Sequence, residues 1–214
     1  MATALAAQEA AMPSSDAGIR PEDVRAFWSY MQQRFGTRVL NKQSAIEMRL
    51  VARALELLGI QSQGEFLRRY TTTIGRRIYT PFTVGVADST YSLWDQLVVC
   101  VHEHQHVAQY DRTGLSFQLS YLFNSAARAQ WESEGYRCDL ELHFWRYGET
   151  PSVRPIAEKL LAYGCNQQDV EVAAKSLALS ATAVRRGAII NYATTVALSW
   201  LNEHLPQLRA RGVT

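Results

Sequence analysis

The sequence predicts an α+β fold that is predominantly helical, and three observations carry that reading. Apolar residues recur at three- and four-residue spacing through most of the 214 residues. Glycines at 36, 59, 114 and 148 stand where those periodic runs stop. Dense β-branched and aromatic composition is confined to Thr71 through Val86, which leaves room for one small sheet.

The elements follow in order. Residues 1–20 are alanine-rich, with Gln8, Glu9 and Asp16 interrupting any apolar run, and are expected to form a flexible tail ahead of one domain over residues 21–214. Pro21 with Glu22 and Asp23 suits a first helical turn, and Val24, Phe27, Trp28 and Met31 continue at helical spacing to Gly36. A second pattern runs from about Ser44 through Leu58, and Ser62 with Glu65 resembles a capping box opening a short helix. Thr71 to Val86 is expected to hold all the strands, and Pro81 inside it marks an edge strand or a hairpin border. After Asp88 and Ser89, a long helix carries Leu93, Trp94, Leu97, Val98, Val101 and Val107 to Gly114. Asn124 and Ser125 offer caps for another, through Trp131, Cys138, Leu142 and Trp145 to Gly148. Three further helices follow from Val153, the last ending near Trp200 and Leu201.

Charge and cysteine usage exclude several classes. Lys and Arg number 22 against 20 acidic residues, a net charge of +2, and they are scattered, so there is no electrostatic footprint for nucleic acid. The longest uncharged stretch, Gly187 to Asn202, contains Asn191 and falls short of the roughly 18 to 20 apolar residues of a membrane span. It is expected to be a buried helix. Cys100, Cys138 and Cys165 are odd in number and form no C-x-x-C, so they read as small buried residues outside any disulfide framework. A reducing, cytoplasmic location is the expectation, with export lacking a Sec-type signal as the alternative.

Three of the five histidines fall in Val101-His102-Glu103-His104-Gln105-His106-Val107, which contains H-E-x-x-H as His102, Glu103 and His106. A shuffled chain of this composition holds that pattern on the order of 0.01 times, so chance is a poor account of it. On a helix, residues i and i+4 lie one turn apart on one face, so the two imidazoles can converge on one ion. Glu103 sits about 100° round from His102, beside that ion, where a general base for a metal-activated water belongs. His104 points to another side of the helix and is not in the ligand set. Flanking Val98, Val99, Val101 and Val107 argue for burial, against two histidines on a solvated surface.

These residues resemble the zincin superfamily of zinc metallopeptidases. The resemblance covers roughly Ile78 to Leu142 and implies Zn²⁺ as cofactor, a peptide or protein substrate, and a third ligand on a later element. Asp111 to Gly114 offers no further histidine, so the metzincin pattern is absent. Trp131-Glu132-Ser133-Glu134-Gly135-Tyr136-Arg137 looks like the gluzincin arrangement, in which a downstream helix supplies a glutamate. Matching Gly135 to the small residue of that signature selects Glu132, although Tyr136 replaces its acidic residue. Glu134 stays open as the alternative, because it lies nearer the apolar stripe of Ala127, Trp131, Cys138 and Leu142. Helical spacing lets only one of the two reach. The implied fold is zincin-like, with a small edge-strand sheet or hairpin over Ile78 to Val86 packed on the motif helix and additional C-terminal helices.

Asp139 reads either as a carboxylate orienting a ligand histidine or as a solvated helix residue. Tyr136, Arg137, His143 and Tyr79 are candidate donors to a developing oxyanion, and the sequence singles out none of them. A second E-x-x-H to partner Glu103 and His106 is missing, which disfavours a di-iron bundle. Two other readings remain: a zinc-containing binding or scaffold protein of zincin-like fold without hydrolytic activity, marked by a closed fourth coordination position, and a metal-free helical interaction protein.

Overall fold

A computed structural model describes residues 16–42, 45 and 70–212. Its elements are α1 (Pro21–Phe35), β1 (Arg38–Asn41), β2 (Thr72–Ile74), β3 (Arg77–Thr80), α2 (Leu93–Thr113), α3 (Leu115–Phe123), α4 (Ser125–Tyr147), α5 (Val153–Glu158), α6 (Gln167–Arg185) and α7 (Tyr192–His204). The chain is therefore α+β and mostly helical. The helix expected over Ser44 to Leu58, the Ser62 and Glu65 capping box, and residues 1–15 lie outside the described residues.

Local chemistry fixes the helix ends. Asp23 Oδ2 accepts from the Arg20 backbone N–H at 2.9 Å, and Gly36 closes α1 in the left-handed region at φ 61°. Ser92 Oγ accepts from Asp95 N–H at 3.0 Å while Asp95 Oδ2 accepts from Ser92 N–H at 3.0 Å, so Ser92 caps α2 and Leu93 begins it. Asn124 Oδ1 accepts from Ala127 N–H at 3.0 Å and starts α4. Helix α3 has no counterpart in the sequence reading. Nine uncharged residues between Gly114 and Asn124, with no side-chain cap at the start, give periodicity little to detect.

The sheet corrects two expectations. Strand β1 lies outside Thr71 to Val86 and pairs in parallel with β3, Val39 opposite Ile78. Strand β3 is central in the order β1-β3-β2, so among the described residues the edge beside α2 is β2, Thr73 opposite Ile78 in antiparallel register. Pro81, which has no N–H to donate, follows the last residue of β3 and ends it.

Two apolar clusters meet at α4. Cys138, Leu142 and Trp145 face Phe27, Trp28, Leu97, Val101 and Trp200, while Tyr136 and Leu140 face Leu160, Val170 and Leu177. Residues 16–20, assigned to the tail by the sequence reading, join the packed fold: Ile19 is buried, and Asp16 Oδ1 accepts from Trp94 N–H at 3.1 Å. All three cysteines are buried and free. No described helix is long and apolar enough to cross a membrane.

Candidate metal centre

Helix α2 brings His102 and His106 one turn apart with ring centroids 4.9 Å apart. Helix α4 crosses them closely because position 135 has no side chain. A Cβ on Gly135 would lie 2.6 Å from His102 Nε2, which no real Cβ tolerates. That approach carries Glu132 between the rings, with Oε2 at 3.4 Å from His102 Nε2 and Oε1 at 3.5 Å from His106 Nε2. The three residues offer ligand atoms all within 4.8 Å of one another.

Two imidazole nitrogens and one carboxylate oxygen form a donor set suited to zinc. The residues fit such an ion on a further count: Glu132 Oε2 is buried and makes no hydrogen bond among the described residues, an arrangement that costs energy unless something positive meets it. Burial opposes ionisation of Glu132, but the facing His106 and His102 and the Tyr121 hydroxyl outweigh it and hold the carboxyl below the usual carboxylate range. Burial likewise works against a charged His102, and the Asp139 and Glu132 carboxylates overcome it, so its pKa lies well above the ordinary value.

Around the triad stands a ring of orienting contacts. Asp139 Oδ1 lies 3.2 Å from His102 Nδ1, the orienting arrangement among the two weighed from sequence. His106 Nδ1 lies 2.8 Å from Gln109 Oε1. Tyr121 on α3 donates its hydroxyl to Glu132 Oε1 at 2.5 Å, and the Phe117 ring stacks over His106 with centroids 6.0 Å apart. Glu134 lies away from the triad: it accepts from Gln109 Nε2 at 3.1 Å and pairs with Arg112 at 3.2 Å, with 29% of its side chain exposed against 3% for Glu132.

Glu103 is buried, and its Oε2 accepts from the Thr73 hydroxyl on β2 at 2.7 Å. His104 lies on the other side of α2, packed against Trp28 and Phe35, with Nε2 at 3.0 Å from Thr37 Oγ1 and Nδ1 at 2.6 Å from the Cys100 carbonyl. Burial pushes its pKa down to about 4. Of the residues weighed as oxyanion donors, Tyr136 has its ring centroid 5.3 Å from that of His102. Arg137 is committed to Glu141 at 2.9 Å, His143 Nδ1 to the Glu149 carbonyl at 2.9 Å, and Tyr79 is buried in β3.

Sequence reasoning passed over Thr73, Gln109 and Tyr121. Gln109 had a usable signal, since a residue three after His106 on a helix shares its face. Thr73 and Tyr121 reach the site only through tertiary packing of β2 and α3. No known family model, curated protein or solved structure matches the chain.

Proposed function

We propose that this protein is a zinc-dependent hydrolase of zincin type, acting on peptide bonds, with His102, His106 and Glu132 as ligands and Glu103 as general base. The observation that carries the reading is the convergence of three buried donors around a carboxylate oxygen that has no hydrogen bond. Zinc in such a set supplies a Lewis acid that activates water and polarises a carbonyl. The chain's own residues do the rest. Thr73 occupies Oε2 of Glu103, which leaves Oε1 to take the proton of the attacking water. Asp139 and Gln109 hold the two imidazoles with their Nε2 atoms toward Glu132. An extended peptide can add to β2, the strand at the edge of the sheet among the described residues, beside the helix that carries the base.

Glu103→Gln tests this directly. The variant is expected to bind one zinc as the wild type does and to hydrolyse a peptide mixture about 10²- to 10⁴-fold more slowly. Cleavage by the variant at the wild-type rate overturns the assignment.

One feature favours a second reading, a zinc-bearing scaffold without hydrolysis. Phe117 and Tyr121 of α3 cover the ligands, whose side chains are only 11%, 8% and 3% exposed for His102, His106 and Glu132. The described groove of about 1350 Å³ lies elsewhere, lined by Gln105, Arg137, Ser176 and Asn191 among others. A scaffold site predicts a large fall in melting temperature on zinc removal and no peptide cleavage by the wild type.

A further inference from the structure

Building on the zinc site proposed above, the geometry points to Gln109 as the positioning residue that fixes which nitrogen of His106 is free to bind metal. Its amide has no freedom to reverse. Nε2 donates to the Trp131 carbonyl at 3.0 Å and to Glu134 Oε2 at 3.1 Å, two acceptors that can face only an NH₂ group. Oε1 is therefore the atom 2.8 Å from His106 Nδ1, and as a pure acceptor it requires that nitrogen to carry the proton. The lone pair is left on Nε2, the atom that faces Glu132 at 3.5 Å.

Glu134 thereby acquires a role at one remove. Arg112 holds the Glu134 carboxylate at 3.2 Å, Glu134 and the Trp131 carbonyl hold the Gln109 amide, and Gln109 holds His106. A reversed amide would set NH₂ against Nδ1, force the ring proton onto Nε2 and remove His106 from the ligand set. Gln109 is fully buried, so water does not replace it. Asp139 does the equivalent for His102 with one carboxylate. Gln109, being neutral, needs its own donor side anchored.

Zinc affinity measured by competition with a chromophoric chelator tests the role without any activity assay. Gln109→Leu is expected to weaken zinc binding about 10- to 100-fold with an unchanged circular dichroism spectrum. Glu134→Ala is expected to weaken it less, since the Trp131 carbonyl still holds the amide. In the zinc-loaded wild type, ¹⁵N NMR is expected to find His106 protonated at Nδ1. A wild type that binds no zinc removes the functional reading itself. A wild type that binds zinc and a folded Gln109→Leu that binds it equally well overturn the Gln109 role alone. Should Gln109→Leu not fold, the NMR measurement decides. An unprotonated Nδ1 in the zinc-loaded wild type overturns the role, and a protonated Nδ1 whose exchange with water quickens in Glu134→Ala supports it.

Discussion

On the face of α2 turned toward α4, His102 and His106 lie among Glu132, Asp139 and Gln109; on the face turned toward α1, His104 lies among Trp28, Phe35 and Cys100. All three rings are largely buried on one helix within five residues, yet the protonation of His102 and that of His104 are driven in opposite directions. Carboxylates overcome burial and raise the pKa of His102, whereas burial beside the uncharged Thr37 hydroxyl and the Cys100 carbonyl and thiol lowers that of His104 to about 4. Burial alone does not decide what a histidine does. Charge supplied by the neighbouring element does, and helical periodicity selects which ring meets it.

The comparison breaks most completely at position 135. Gly135→Ala puts a methyl 2.6 Å from His102 Nε2, so the His102 ring or α4 must shift, and either movement opens the triad. Zinc binding is expected to be lost in calorimetry, with about 1 to 3 kcal/mol of stability. Zinc binding indistinguishable from wild type in that variant would separate the helix approach from the site.

Acidity sharpens the contrast. His102 must shed its proton to bind metal, and its pKa lies above 6.5, so zinc affinity is expected to fall about tenfold for each pH unit below that raised value. In the metal-free protein the sign reverses. A raised pKa contributes stability that is fully present below 6.5 and is lost as pH rises through the folded value, and the depressed Glu132 contributes stability present above 4.5 and lost as pH falls below it. The rise in melting temperature on adding zinc is therefore expected to grow from pH 5.5 to pH 8, and a shift independent of pH would contradict the assigned protonation.

The smallest effect on metal belongs to His104→Leu, expected to leave zinc affinity unchanged. It is expected to cost about 1 to 3 kcal/mol at pH 7, because the Thr37 hydroxyl and the Cys100 carbonyl lose their partner. His104 resists protonation, so the wild type loses the stability this group contributes as pH falls from 6.5 through about 4. The denaturation midpoints of variant and wild type are expected to converge on acidification.

What was legible in the sequence is what local spacing encodes. Pro21, Glu22, Asp23 and Gly36 bracket α1 because caps act within one turn, and the His102 and His106 pair follows from the helical repeat alone. Strand β1 was invisible for the opposite reason. Arg38-Val39-Leu40-Asn41 becomes a strand only by pairing with residues 77–80, almost forty positions later. The choice between Glu132 and Glu134 likewise rests on where α4 crosses α2. The nearness of Glu134 to an apolar stripe pointed the other way because α4 is buried on two sides, so a single stripe does not define its inner face.

The bare position at 135 also sets the gauge of the candidate metal centre. Where α2 and α4 meet, an imidazole rests against main chain, and main chain cannot rotate out of the way as a leucine or methionine would. Substitutions that swell or shrink either apolar cluster therefore reach the triad, because Val101 of one cluster adjoins His102, Tyr136 of the other adjoins Gly135, and a close-packed interior transmits strain.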